Sequence, residues 1–158
     1  MKSIKSTQTT FYQSINKLLT ISEIKQMDQF IQHGHTSCLE HCLAVAYYSY
    51  FIAQYFHLKV DEASLIRGSL LHDFFLYDWH DSSSKHRLHG FTHPTTALNN
   101  ANKFFNLTAI EQDIIKHHMW PLTPIPPHTK EAYIVCFVDK WCSLRETFHC
   151  PLKIEIKK

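Results

Sequence analysis

The sequence predicts an all-α domain, and three observations carry that prediction. Glycine occurs only three times in 158 residues, at positions 34, 68 and 90. Apolar residues recur at helical spacing, and few segments alternate as strands do. Two Ser/Thr-x-x-Glu signatures, Ser37 to Glu40 and Thr108 to Glu111, have the form of helix-opening capping boxes.

The elements follow in order. A first helix is expected over about Phe11 to Gln32. The Ser37 box opens a second, on which Leu39, Leu43, Ala46, Tyr50 and Ala53 form one face. Asp61 is the expected N-cap of a third helix, Glu62 to about Asp73. Pro94 marks the first turn of a fourth, which runs to about Phe105. The Thr108 box opens a fifth, ending near His118. "WPLTPIPPH", Trp120 to His128, holds four prolines and cannot be helical. A last helix is expected from about Thr129 to Thr147, and "PLKIEIKK" reads as a short strand or tail. There are no repeats and no linker. The chain therefore reads as a single domain over 1–158, with five core helices and an N-terminal helix.

Composition narrows the function. Hydrophobic residues make up 44% and charged residues 19%, an ordinary globular balance. A net charge of +2 gives no argument for nucleic-acid binding. The five cysteines form no Cys-x-x-Cys, so neither a disulfide framework nor a zinc ribbon is indicated. The N-terminus lacks a signal-peptide core, and reduced thiols suit the cytoplasm. The most apolar stretch, Leu43 to Phe56, falls short of the roughly 20 residues that span a bilayer. Thirteen histidines are the outlier.

Placed on the expected helices, the histidines form an order. His41 lies one turn into the second helix, His72-Asp73 ends the third, His93 starts the fourth and His117-His118 ends the fifth. Asp139 lies inside "IVCFVDKW", an apolar stretch where an ionisable side chain needs a partner. Five helices thus each deliver one or two ligand-type residues, as helix bundles do when they build metal sites. A second His-Asp pair, His80-Asp81, opens a serine-rich loop and has no place in this order.

In this order and in its local contexts ("LEHCLAVA", "RGSLLHDF", "HGFTHP", "IIKHHMWP", "IVCFVDKW") the chain resembles the HD-domain metal-dependent phosphohydrolases, over about 33–148. The resemblance implies a helical bundle of the HD type. It implies that His41, His72, Asp73 and Asp139 hold a first metal. Asp73, the central catalytic carboxylate, would bridge to a second metal completed by His93, His117 and His118. The seven-residue set is most similar to that of the HD-GYP cyclic-dinucleotide phosphodiesterases. The sequence departs from them at "MWPLTP", where the GYP signature is missing, and at Leu76, where many relatives carry a lysine.

The chemistry fits such a set. Phosphoester hydrolysis needs charge stabilisation and a strong nucleophile at neutral pH, and paired metals supply both. A mixed imidazole and carboxylate set favours Mn, Fe, Co, Ni or Zn over Mg. The expected reaction is hydrolysis of a phosphomonoester or phosphodiester, with nucleotide esters among the candidate small-molecule substrates. Two alternatives stand beside it: a mixed-valence diiron oxygenase of the HD type, and a non-catalytic metal-binding sensor module. Lys85, Arg87, His89 and Lys140 are the candidate phosphate contacts. Asp78 is the candidate hydrogen-bond partner of a ligand histidine. His33 and His35 could line the site mouth. His57, His128 and His149 match no position of the pattern.

Overall fold

A computed structural model of the chain describes residues 4–78, 80 and 88–148, with side chains from residue 8. Seven α-helices occur among the described residues: α1 (Ile4–Leu18), α2 (Ser22–Gln26), α3 (Cys38–Tyr55), α4 (Glu62–Leu71), α5 (His89–Phe104), α6 (Ala109–His117) and α7 (Lys130–Thr147). The only strands there are β1 (Ile31–His33) and β2 (Thr36–Ser37), an antiparallel pair. The fold is mostly helical, as the sequence predicts. No described helix is long and apolar enough to cross a membrane.

The predicted starts of three helices carry the expected caps. Ser37 accepts from the Glu40 amide while Glu40 accepts from the Ser37 amide, and Thr108 and Glu111 do the same. Asp61 accepts from the Ser64 amide. Each cap satisfies amides that have no partner within the helix. A fourth cap, Thr129, opens α7 by accepting from the Ala132 amide.

Helix α3 is the axis of the bundle. Its buried residues fall on all sides, from Cys38 and Cys42 to Tyr50 and Ala53, as expected of a helix enclosed by neighbours. It packs between α4 and α7. Helix α6 lies across α4 and α7, and α5 packs on α6. Two apolar clusters result. Phe11, Ile15, Leu70, Phe74 and Phe75 anchor one, and Val45, Leu65, Ile114, Val135 and Val138 anchor the other. Polar ties cross between helix ends. Arg67 of α4 grips Glu111 of α6 with two hydrogen bonds of 2.7 Å. Glu131 of α7 accepts from the Asp61 amide at 2.9 Å.

Two boundaries differ from expectation. The N-terminal helix ends at Leu18, not near Gln32. The chain then makes α2, a 3-10 turn and the β1–β2 pair, with Gly34 in the left-handed region at φ 58°. The second difference is α5, which starts at His89 and so holds Pro94 in its interior. The Leu88 carbonyl accepts from the Phe91 and Thr92 amides and starts the helix. Pro94 then forfeits its own backbone bond and crowds the Gly90 carbonyl one turn back. "PLKIEIKK" lies outside the described residues.

Candidate metal centre

His72 and Asp73 stand where α4 stops. His72 is the C-cap, the Phe75 amide turns back to the Asp73 carbonyl at 2.8 Å, and Leu76 takes φ 55°. This abrupt turn leaves both side chains pointing into the bundle, 0% and 2% exposed. His41 of α3 (0%), Asp139 of α7 (5%), His93 of α5 (3%) and His118 at the end of α6 (0%) meet them there.

Hydrogen bonding fixes how each imidazole faces. His72 Nδ1 bonds the Ser69 carbonyl at 2.7 Å, His118 Nδ1 that of Ile115 at 2.8 Å, and His93 Nδ1 that of His89 at 2.8 Å. A carbonyl only accepts, so these three nitrogens carry hydrogen. His41 Nδ1 lies 2.8 Å from Glu146 Oε2. All four Nε2 atoms therefore turn inward. His41 Nε2 is 3.1 Å from Asp139 Oδ1 and 3.8 Å from Asp73 Oδ2, and His72 Nε2 is 3.5 and 3.4 Å from the same two oxygens. His93 and His118 Nε2 lie 3.1 and 3.4 Å from Asp73 Oδ1, and 2.8 Å from each other.

The arrangement divides around Asp73. One oxygen faces His41, His72 and the Asp139 side, and the other faces His93 and His118. His72 Nε2 and Asp73 Oδ1 are buried with no hydrogen-bond partner, a costly condition for polar atoms without a ligand. With each Nδ1 committed to a carbonyl, His93 and His118 bring their Nε2 atoms to 2.8 Å of each other. A cation relieves all of these at once. The buried His and Asp groups could thus hold a metal ion, and their donor set fits one.

The charges agree. Burial would raise the Asp73 carboxyl, but the His72 and His93 charges outweigh it and hold Asp73 well below the usual carboxylate range. Asp139 is held low in the same way, by the hydrogen bond from His41 and the nearby His72 charge against the penalty of burial. Burial would lower His41, yet Asp139 and Glu146 raise it to about 10. Burial dominates at His118 and lowers it, which favours a neutral ring.

A cleft of about 1040 Å³ opens onto this cluster. Asp73, His93, His118 and Asp139 line its floor, with His33 and His89 beside them, while Pro121, Leu122 and Leu144 form an apolar wall. His89 Nδ1 lies 2.8 Å from the Tyr77 hydroxyl, and its ring stacks on His93 at 4.5 Å.

Six of the seven expected ligands come together, and His117 does not. It is adjacent to His118 near a helix end, so the helical rotation of about 100° per residue turns it away. Its Nδ1 lies 2.7 Å from Asp113 Oδ1, one turn back, and its ring faces His128 at 5.0 Å. Asp78 also departs from expectation. It is 60% exposed and accepts from the His80 amide, and touches no ligand histidine. Lys140 lines the cleft, but its ammonium donates to the His118 carbonyl at 2.8 Å and to the Cys136 carbonyl and sulfur at 3.2 Å. It braces the turn that carries His118. Lys85 and Arg87 lie outside the described residues.

The structure adds residues that the sequence pattern lacked. Gln32 of β1 donates from Nε2 to Asp73 Oδ2. His33 sets its ring edge-on to His41 at 5.5 Å, as the "HGH" position suggested. Glu146 orients His41; its signal was present, since it is a buried acid seven residues, two turns, after Asp139. Gln32 gave no signal, because its position depends on the short strand pair. Comparison of the chain with protein-family models, with curated proteins and with solved structures finds no match.

Proposed function

We propose that the chain is a metal-dependent phosphohydrolase of the HD type, acting on a small phosphomonoester or phosphodiester at the His/Asp centre. The observation that carries this reading is the convergence of four inward Nε2 atoms on two buried carboxylates, at the floor of an open cleft. His41, His72, Asp73 and Asp139 would hold one divalent cation, and Asp73, His93 and His118 a second. Such cations supply Lewis acidity toward a phosphoryl oxygen and acidify water enough to make it a nucleophile near pH 7.

The chain's own residues do the rest. Asp73 places one oxygen toward each group of histidines, so a single carboxylate would serve both positions. The Ser69, Ile115 and His89 carbonyls hold the ligand imidazoles in one tautomer, and Glu146 does so for His41. Supporting contacts of this kind orient ligands and raise their basicity. Neutral imidazoles leave the net positive charge that a phosphate must meet. His89 lines the cleft beside His93 and would receive the ester, with Pro121, Leu122 and Leu144 as the apolar side of the cleft. The nitrogen-rich donor set favours Fe, Mn, Co, Ni or Zn over Mg.

The test is metal analysis of the purified chain, followed by a phosphoester panel in Mn, Co, Ni and Mg with oxygen uptake measured on the iron-loaded form. Phosphate release that Asp73→Asn abolishes supports the proposal. Oxygen uptake without phosphate release from any ester would replace it with the oxygenase reading. Neither activity, together with bound metal, would favour a sensor module.

A further inference from the structure

Helix α7 turns one face to the metal centre and leaves another bare. Tyr133, Phe137, Trp141, Leu144 and Phe148 are 47%, 71%, 37%, 58% and 70% exposed. Their spacing is four, four, three and four residues, the spacing of a seam that packs against another helix. The bare face extends onto α3 through aromatic contacts. Trp141 meets Tyr48 at 5.1 Å, Tyr48 meets Tyr47 at 5.3 Å, and Tyr47 stacks on Phe51 at 6.3 Å. Phe51 stacks in turn on Tyr55 at 6.2 Å, and these two are 42% and 68% exposed.

We infer that this α7–α3 face is the interface of a homodimer, with the seam of α7 packed against the same seam of a second copy. The area argues for that occupant. Aromatic side chains offer about 150–250 Å² each. Seven large side chains at the exposures above present roughly 800 Å² together, the share one partner contributes to a standard interface. Single monomers rarely leave an apolar patch above about 600 Å² uncovered. A two-fold contact covers both patches with one surface, because each seam is its own complement. Six of the seven side chains are aromatic, as interface cores favour, and the charge beside them, Arg145 over the Trp141 ring at 5.4 Å, is of the type enriched there. Leu144 belongs to both the seam and the cleft wall, so the second copy sits beside the cleft mouth.

The test is the mass of the full chain by light scattering and sedimentation, from about 1 to about 100 µM. Twice the 18.6 kDa chain mass is expected. Phe137→Glu and Phe148→Glu each bury a charge in the seam and should weaken the dimer at least ~100-fold. Phe104→Glu, on an exposed aromatic of α5 (49%), should leave the dimer intact. Circular dichroism checks the fold of each variant, and Phe148→Glu, at the helix end, gives the reading if Phe137→Glu does not fold. A wild-type monomer over this range would overturn the inference and assign the face to a different partner. So would a dimer that survives both seam substitutions, or one that Phe104→Glu dissociates equally.

Discussion

Replacing Asp113 by asparagine tests the electrostatic tie between α6 and α7. Asp113 Oδ2 accepts from the Thr129 amide and hydroxyl at 2.7 Å each and from the His128 amide at 3.0 Å, and Oδ1 meets His117 and His128 Nδ1 at 2.7 and 3.0 Å. Burial would raise this carboxyl, but the bonds from His128, Thr129 and His117 prevail and lower it from 3.8 to about 2. At 1.36 kcal/mol per pH unit, that difference contributes about 2 kcal/mol of stability at pH 7. Because the folded-state value is depressed, the contribution is full above about pH 4 and is lost as pH falls through about 2. Asp113→Asn should therefore cost about 2 kcal/mol at pH 7 and only about 1 kcal/mol at pH 3. With an m-value of about 2 kcal/mol/M, the urea midpoint at pH 7 should fall by about 1 M. Equal losses at pH 7 and pH 3, or no loss at pH 7, would refute the reasoning.

Three further outcomes follow from the centre. Glu146→Gln removes the carboxylate that orients His41 and should weaken metal affinity about 10–100-fold with the helical signal unchanged, as read by competition with a chelating dye. His118→Gln should lower the bound-metal count, whereas His117→Gln should leave it intact and cost about 1 kcal/mol in urea unfolding; equal metal loss in both would show that His117 is a ligand. Without a cation, Asp139 and Glu146 keep His41 protonated up to about pH 10, so metal uptake at pH 7 should release protons, measured by calorimetry in buffers of different ionisation enthalpy.

Much of the site was legible because it depends on local rules. Ser37, Asp61 and Thr108 announce helix starts by cap chemistry, which places His41 near one helix start and His72-Asp73 at a helix end, while the grouping of these with Asp139 rests on the order of the residues and on the resemblance it carries. The two His-Asp pairs separate for the same reason. His72-Asp73 ends a helix that is mostly buried from Ser64 onward, whereas His80 lies on an exposed turn beside Asp78. What stayed hidden depends on tertiary contacts. The choice between His117 and His118 rests on the rotation of the last turn of α6, which the sequence leaves open by about one residue. Pro94 marked a helix start by propensity, yet α5 begins at His89, five residues earlier. Gln32 reaches Asp73 only through a strand pair too short to show a period. Lys140 looked like a phosphate contact because it is basic and follows Asp139, but the His118 carbonyl at the end of α6 and the Cys136 carbonyl of its own helix claim its ammonium.

The central claim is that the six convergent side chains form a metal centre, and metal content tests it most directly. Elemental analysis of the purified full chain, titrated with Mn, Fe, Co, Ni and Zn and checked by melting with and without a chelator, should find one to two ions per chain. Chelation should lower the melting temperature, and Asp73→Asn should lose most of the metal while remaining helical. A folded wild-type chain that takes up none of these ions, or an Asp73→Asn variant that keeps its full complement, would contradict the account.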